Sequence, residues 1–197
     1  LVAALLAKKF KGFFNIYGYD IIAPKLDKKL IDTKNFIFTK TDLTKIKNFN
    51  LNKKIDLIIH LAGIPSPKYY KKYPLETYFL NSDLCKILLD FARIKKAKFI
   101  YFSSSEIYGN PDKKNIPTSE NYEGRVSSIS DRSCYDESKR SGETYTYIYK
   151  NFYSLDTKII RPFNFYGNGM SKIDKRVIPQ FFYDYIKSKT MNVYGDG

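Results

Sequence analysis

A tyrosine and a lysine four residues apart, Tyr135 and Lys139, lie in the stretch RSCYDESKRSGET, which is typical of a polar helix start. On a helix these two side chains share a face. A free phenol has a pKa near 10 and is almost fully protonated at neutral pH, whereas a nearby ammonium group favours the phenolate. Lowering the pKa of the phenol by ~3 units requires ~4 kcal/mol. The pair would then be a general base that takes a proton from an alcohol while a hydride leaves.

A group of hydroxyls follows the apolar stretch in AKFIYFSSSEIYG, where Ser104 is placed to hold the oxygen of a substrate. Each pattern has a simpler explanation when it is taken alone. The chain contains 18 tyrosines, so a tyrosine and a lysine at this spacing can arise by chance, and serines often cap the end of a strand. The order and spacing of all the motifs together favour a functional site.

The elements that must position these residues alternate along the chain. Alternating strands and helices indicate βαβ units and a parallel sheet, so the sequence predicts an α/β, Rossmann-like doubly wound fold. Leu80, Leu84, Ile87, Leu88 and Phe91 fall on one helical face. The predicted strands are FFNIYGYDI, NFIFTKTDL, IDLIIHLAG, AKFIYFSSSEIYG and DTKIIRPFNFYG, and the predicted helices are LVAALLAKKF, PLETYFLNSDLCKILLDFARIKK, YDESKRSGETYTYIYKNFYS and KRVIPQFFYDYIKSK.

Ligands of such sheets bind at the carboxyl ends of the strands, where polar and small residues collect in this chain. Asp20 ends a strand and is placed to accept the ribose hydroxyls of a dinucleotide, and Asp42 could bind the adenine edge. Both could equally be ordinary turn residues. Asp20 would repel a 2′-phosphate, although Lys25 weakens that argument. The glycine-rich turn that carries the pyrophosphate is not in the sequence, which we therefore expect to be an internal fragment, truncated at both ends.

Composition limits the function classes. The chain has 197 residues, of which 43% are hydrophobic, so a globular domain with a sizeable core is expected. Its formal net charge of +14 would suit nucleic acid or a membrane surface, but the lysines are spread along the chain and form no basic arm. We therefore expect no nucleic-acid or membrane partner and favour an anionic substrate. Cys85 and Cys134 lie far apart, which favours a cytoplasmic protein, and with the single His60 they make a metal site improbable.

The motifs HLAG, YFSSSEIYG, YDESK and RPFNFYG together resemble the extended short-chain dehydrogenase/reductase family, the NAD-dependent epimerases and dehydratases of nucleotide sugars. The resemblance implies NAD as cofactor, a catalytic set of Ser104, Tyr135 and Lys139, and a homodimer formed through the helix that carries Tyr135. It implies an NAD-binding domain over residues 1–160 and the start of a small substrate-binding region over 161–197. The implied cofactor-binding residues are Asp20, Asp42, Leu43, Leu61, Ala62, Gly63, Asn81, Tyr135 and Lys139, and Asn164 would line the sugar-nucleotide site.

Within that family, RSCYDESKR, HLAGIPSPKYY, SSSEIYGNP and VYGDG are similar to the UDP-glucuronate decarboxylase branch. This similarity implies that Ser105 and Glu106 are also catalytic, orienting the sugar and assisting proton transfer, with Tyr70 and Glu106 close to the sugar. The 4,6-dehydratases have Asp-Glu at the last two positions of the strand motif, and Ser105 departs from that pattern. Gly63, Glu76 and the RPFNFYGNG segment depart from the decarboxylase pattern.

Two alternatives stay open at this stage. One is another NAD-dependent nucleotide-sugar 4-epimerase or 4,6-dehydratase. The other is a non-catalytic relative that binds a nucleotide or RNA through its basic surface. The second alternative predicts a broken catalytic set, whereas Ser104, Tyr135 and Lys139 are all present.

Overall fold

The computed structural model describes residues 13–22, 35–164, 166–167, 177–188, 190–191 and 193. The chain divides into two compact units, one within Val2–Phe163 and the other from Asn164 onward. The helix predicted in LVAALLAKKF, as well as Lys25, lies outside the described residues. Every helix in the described part is too short or too polar to cross a bilayer.

In the described part of the chain, five short strands, rich in β-branched and aromatic residues, form parallel ladders. Strands β1 (Ile16–Asp20) and β2 (Phe36–Lys40) pair with Ile16 opposite Phe36. The other three strands form a sheet in the order β3-β4-β5 and are Leu57–His60, Lys98–Phe102 and Thr157–Ile160. The parallel pairing confirms the predicted α/β class. No ladder joins the two sheets within the described ranges.

In the described part of the first unit, the helices pack against one another and against these strands. They are α1 (Pro67–Tyr70), α2 (Pro74–Asn81), α3 (Asp83–Lys95) and α4 (Ser133–Tyr153), and the second unit contains α5 (Val177–Ser188). The sequence predicted one helix where α2 and α3 are separate. Ser82 interrupts it with φ −107° and ψ −72°, and its hydroxyl donates to the Tyr78 carbonyl at 2.7 Å. The Ser82 amide still donates to the Tyr78 carbonyl at 3.0 Å, so the interruption is confined to the backbone angles of one residue, which apolar periodicity does not reveal.

The core lies where α2, α3 and α4 cover the β3-β4-β5 sheet. Leu84, Leu89, Phe99 and Tyr101 are completely buried. The predicted apolar face is confirmed, since Leu80, Leu84, Leu88 and Phe91 are buried and Ile87 is half-buried. Edge-to-face contacts between Tyr19, Phe49 and Phe91, each with ring centroids 5.0 Å apart, link β1 to α3.

Because the strands are parallel, their carboxyl ends lie side by side. His60 at the end of β3 is opposite Tyr101, and Phe102 at the end of β4 is opposite Ile160 of β5. The chain then continues in parallel beyond the ladder, with the Ser103 amide donating to the Ile160 carbonyl at 2.8 Å. This edge of the sheet is therefore built to hold the residues that follow β3, β4 and β5.

Helix α4 approaches β4 closely at Gly142. A Cβ atom on Gly142 would lie 2.2 Å from the Tyr101 hydroxyl and 2.5 Å from the Asn81 carbonyl oxygen. Because the second atom is backbone, a side chain could fit only if α2 and α4 moved apart. The absence of a side chain at this position thus determines how near α4 lies to the sheet.

We predict that Gly142→Ala lowers the free energy of unfolding of the full-length protein by about 1–3 kcal/mol, because overpacking outweighs the gain in helix propensity. Urea denaturation measures this change. Lys150→Ala, at an exposed position of the same helix, is the control and should change stability by no more than about 0.5 kcal/mol. An unchanged or higher stability of Gly142→Ala would contradict the close approach.

Candidate active site

Tyr135 and Lys139 occupy the first two turns of α4. The helix start is fixed by Ser133, whose hydroxyl oxygen accepts from the Ser130 amide at 2.7 Å and whose hydroxyl donates to the Ser127 carbonyl at 2.8 Å. Both Tyr135 and Lys139 are buried, with 7% of each residue exposed. The Lys139 Nζ lies 5.8 Å from the centre of the Tyr135 ring, so the two side chains share a face as their spacing predicts.

The ammonium group of Lys139 is held at the end of β4. Its Nζ donates to the Phe102 carbonyl at 2.8 Å and lies 5.3 Å from the centre of the Tyr101 ring. Burial lowers the pKa of Lys139 to about 8. The group is therefore still mostly protonated at neutral pH, and the bond to Phe102 uses only one of its three N–H groups.

The pKa of Tyr135 differs from the sequence expectation. Burial raises it above its usual value, a hydrogen bond with Ser104 lowers it, and the charges of Glu106 and Asp136 raise it again. The prediction that Lys139 lowers this pKa is wrong for the protein alone. Burial is the largest cause of the raised pKa, and Lys139 is not among the groups that offset it.

Ser104 joins the end of β4 to the tyrosine. It is buried, and its Oγ accepts from the Glu106 amide at 3.3 Å, which starts a 3₁₀ turn over Ser105–Tyr108. The same hydroxyl is near enough to Tyr135 to lower the pKa of the phenol. Two hydroxyl groups therefore lie together, one from the strand and one from the helix. The neighbouring Ser105 is half-buried and its amide donates to the Pro162 carbonyl at 3.0 Å.

Glu106 is half-buried and forms an ion pair with Arg132. Arg132 also bonds to Asp136, with 3.3 Å between Nε and Oδ2. Neither Asp136 nor Arg132 is among the catalytic or binding residues that the sequence predicts. The Arg132–Asp136 spacing of four residues could have indicated their pair, but Glu106 is 26 residues from Arg132 and no local pattern connects them.

Tyr70 and Cys134 support the tyrosine from the other side. Tyr70 is 2% exposed and stacks on Tyr135 with ring centroids 5.3 Å apart and an interplanar angle of 18°. The Cys134 thiol donates to the Tyr70 carbonyl at 3.7 Å, which ties α1 to the start of α4. Asn164 is exposed and belongs to the second compact unit.

Asn81 and Gly63 form a tight corner beside Lys139. Asn81 is completely buried, its amide donates to the Ser138 hydroxyl at 3.0 Å, and that hydroxyl donates to the Tyr135 carbonyl at 2.9 Å. A Cβ atom on Gly63 would lie 3.0 Å from the Asn81 Oδ1 and 3.8 Å from the Lys139 Nζ. Position 63, where this sequence departs from the decarboxylase pattern, is a glycine. It therefore leaves open space where a larger residue would contact Asn81 closely.

The remaining predicted residues lie nearby or at the other sheet. Leu61 is exposed and Ala62 packs against the core. Asp20, at the end of β1, is exposed, and its carboxylate accepts from the Ile22 amide at 3.0 Å.

Asp42 accepts from the Thr44 amide at 3.1 Å and from the Thr44 hydroxyl at 2.7 Å. These bonds cap the 3₁₀ turn that begins at Leu43 and lower the pKa of Asp42. Glu76, a departure from the family pattern, lies in the first turn of α2, where an acidic side chain favours the helix dipole.

These residues fit a dinucleotide such as NAD. The Asn81 Oδ1 is buried and has no hydrogen-bond partner in the described part of the chain. It faces the space that a Cβ on Gly63 would fill, beside the unused N–H groups of Lys139. At the other sheet, Asp20 offers an exposed carboxylate at a strand end, the usual acceptor for ribose hydroxyls.

Comparison with known proteins gives one consistent result. Residues 13–197 match the NAD dependent epimerase/dehydratase family. UDP-glucuronic acid decarboxylase 1 of Arabidopsis thaliana is 40% identical over 144 residues, which are 73% of this chain and 33% of the plant protein. The chain thus spans about a third of the length of that relative.

Two solved structures share the fold. The first is UDP-N-acetylglucosamine 4-epimerase from Methanobrevibacter ruminantium, with a TM-score of 0.83, 24% identity and coverage of 100% of this chain and 63% of the epimerase chain. The second is UDP-glucuronic acid 4-epimerase from Bacillus cereus in complex with NAD, with a TM-score of 0.77, 22% identity and coverage of 100% of this chain and 64% of the epimerase chain. They confirm the Rossmann-like architecture.

The buried ammonium group generates a prediction about stability and pH. The pKa of Lys139 is about 8 in the folded protein and 10.5 in the reference state, so the unfolded chain binds more protons between these values. Stability should therefore rise with pH across this window, by at most ~1.4 kcal/mol per pH unit. Urea unfolding at pH 7 and 9.5 gives the free energy of unfolding of cofactor-free wild type and of Lys139→Met. The contribution of Lys139 is the change, between the two pH values, in the difference between these two free energies.

The control is Lys150→Met, an exposed lysine of the same helix, whose difference from wild type should stay nearly constant over the same pH range. If the difference between wild type and Lys139→Met were also constant from pH 7 to 9.5, the buried environment of Lys139 would be contradicted.

Proposed function

The chain belongs to the NAD-dependent epimerase/dehydratase family, and we propose that it decarboxylates UDP-glucuronate to UDP-xylose through a 4-keto intermediate with NAD as cofactor. The observation that carries this proposal is that Ser104 and Tyr135 are both buried, with Ser104 and the Glu106 carboxylate near enough to shift the pKa of Tyr135. The relative named above, a UDP-glucuronic acid decarboxylase, supports the same substrate. Tyr135, Lys139, Ser104, Ser105 and Glu106 are the proposed catalytic residues.

The first step is proton removal from the sugar. Tyr135 takes the proton of the 4-hydroxyl group while the hydrogen on C4 leaves as hydride, and Ser104 holds the oxygen that becomes a ketone. Bound NAD would supply the hydride acceptor and donor, and its positively charged ring would favour the phenolate of Tyr135. Lys139 would bind the cofactor through its unused N–H groups and contribute its positive charge.

The second step is loss of carbon dioxide. The 4-ketone is β to the C6 carboxylate, so when the bond between C5 and C6 breaks, its electron pair forms an enolate with the ketone oxygen. Ser104 and protonated Tyr135 donate hydrogen bonds to that oxygen. Glu106 and Ser105 orient the ring and assist protonation at C5. Return of the hydride to C4 and of the Tyr135 proton to the oxygen gives UDP-xylose.

The remaining predicted contacts belong to binding. We propose Asp20, Asp42, Leu43, Leu61, Ala62, Gly63 and Asn81 as cofactor-binding residues, and Tyr70 and Asn164 as substrate-binding residues. For Gly63 and Asn81 the support is the unpartnered Asn81 Oδ1 beside the open space at Gly63. For Tyr70 the support is its stacking on Tyr135.

The second candidate is another nucleotide-sugar reaction of the same family. The similarity in fold to two 4-epimerases favours a 4-epimerase, because epimerisation uses the same Tyr135 proton removal. A 4,6-dehydratase is less favoured because Ser105 stands where an acid is needed to expel the 6-hydroxyl group. The half-buried Glu106, which many 4-epimerases lack, favours the decarboxylase.

The decisive experiment incubates the full-length protein with UDP-glucuronate and NAD+. We expect carbon dioxide and UDP-xylose, with the rate reduced by about 10²–10⁴ in Tyr135→Phe because the general base is removed. Tyr147→Phe, an exposed tyrosine of the same helix, is the matched control and should retain activity. Turnover of UDP-glucose, UDP-galactose or dTDP-glucose without carbon dioxide would instead assign the epimerase or dehydratase reaction.

A second prediction concerns cofactor choice. Asp20 is exposed at the end of β1, and its charge would repel a 2′-phosphate. Asp20→Asn should reduce the preference for NAD over NADP by about tenfold or more, as measured by the dissociation constants of both dinucleotides. The control is Asp56→Asn, which changes an exposed carboxylate outside the site. If Asp20→Asn left the ratio of the two dissociation constants unchanged, Asp20 would not be part of the cofactor site.

We also propose a homodimer in the cytoplasm. Helix α4 exposes Phe152 and Tyr153, with 74% and 50% of each residue accessible, which favours burial against a second copy. Cys85 and Cys134 are both free, as expected for a reducing compartment.

A further inference from the structure

Arg132 connects two carboxylates that come from different elements of the site. Its Nη2 pairs with the Glu106 Oε2 in the 3₁₀ turn after β4, and its Nε bonds to the Asp136 Oδ2 in the first turn of α4 at 3.3 Å. The planar guanidinium group can bond to two acceptors at once in a fixed geometry. The cluster therefore contains two acidic groups and one basic group immediately beside Tyr135.

Asp136 has an unusual environment for a carboxylate. It is 7% exposed, and its Oδ1 has no hydrogen-bond partner in the described part of the chain. Burial raises the pKa of Asp136, Arg132 lowers it, and the charge of Glu106 raises it again. Asp136 and Glu106 are thus close enough to influence each other, and Arg132 bonds to both.

The other titratable groups near the cluster do not supply a second cation. Tyr70 stacks on Tyr135 from α1, and Cys134 and Glu137 are the neighbours of Asp136 on α4. Lys71 is paired with Asp131, at 2.9 Å between Nζ and Oδ2. Within the described residues, Arg132 is the cation that bonds to Glu106 and Asp136.

Two carboxylates that face each other without a cation hold one proton between them over a wide pH range. We propose that Arg132 is a positioning residue that prevents Glu106 and Asp136 from sharing a proton, and so keeps Glu106 as a free carboxylate directed toward the substrate. Arg132 acts through Glu106 and does not itself react. The inference rests on the proposed function for the task of Glu106, whereas the coupling of the two carboxylates rests on their shared bonds to Arg132 and on the charge of Glu106 acting on Asp136.

The first test is the pH profile of carbon dioxide release from UDP-glucuronate by the full-length protein. In Arg132→Gln the acid limb of the pH profile of kcat/KM should shift to higher pH by about one unit or more, because the paired carboxylates retain a proton. Arg132→Lys should lie between wild type and Arg132→Gln, since it retains the charge but not the bidentate geometry.

The matched control is the double variant Arg132→Gln/Asp136→Asn, in which Glu106 has no carboxylate with which to share a proton. Its acid limb should return close to that of wild type. The proposal is overturned if Arg132→Gln lowers activity equally at every pH, which would mean a structural role only. It is also overturned if the double variant retains the shifted limb.

A second measurement does not depend on the reaction. In protein with ¹³C-labelled aspartate carboxyl groups, the Asp136 signal, assigned with Asp136→Asn, should titrate at higher pH in Arg132→Gln and at lower pH in Glu106→Gln than in wild type. Absence of both changes overturns the inference. If wild type releases no carbon dioxide but the Asp136 signal moves as expected, the proposed function fails and the proton-sharing inference stands.

Discussion

Burial of the Lys139 ammonium group is the constraint on which the rest of the site depends. A charged group can remain charged in the interior only when fixed partners replace its water. Here those partners are the Phe102 carbonyl at 2.8 Å and the face of the Tyr101 ring. Both belong to β4, so the charge is stabilised only if α4 lies close to that strand. Gly142, one helical turn beyond Lys139, permits this approach because it has no side chain.

The same packing places Tyr135 between charges of opposite sign. The Lys139 Nζ lies 5.8 Å from the centre of the phenol ring, and the charges of Glu106 and Asp136, both bonded to Arg132, also act on the phenol. With two acids and one base, the second group has a net negative charge. In the proposed reaction an electron pair moves from the C6 carboxylate toward the ketone oxygen held by Ser104 and Tyr135. The charges of Glu106 and Asp136 raise the pKa of Tyr135, so they favour the protonated phenol, which donates a hydrogen bond to that oxygen.

The sequence predicts the parts of this arrangement that follow from local spacing. A separation of four residues is enough to place Tyr135 and Lys139 on one face, and the alternation of strands and helices is enough to predict parallel strands. The break at Ser82 was not predicted because it is confined to the backbone angles of one residue, and the Glu106–Arg132 pair was not predicted because the fold alone brings them together. The direction of the Tyr135 pKa shift was predicted wrongly because it depends on burial, which spacing does not give.

A chain of contacts from the end of β3 to the tyrosine gives a physical reason for the glycine at position 63. Asn81 is held by Ser138, and Ser138 is held by the Tyr135 carbonyl. A Cβ atom at position 63 would meet the Asn81 Oδ1 at 3.0 Å, so Asn81 would have to move by a few tenths of an ångström. Because this asparagine bonds to the residue that fixes the backbone of Tyr135, that displacement would reach the base itself. The residue type at position 63 and the position of the phenol are therefore coupled, although 72 residues separate them in the sequence.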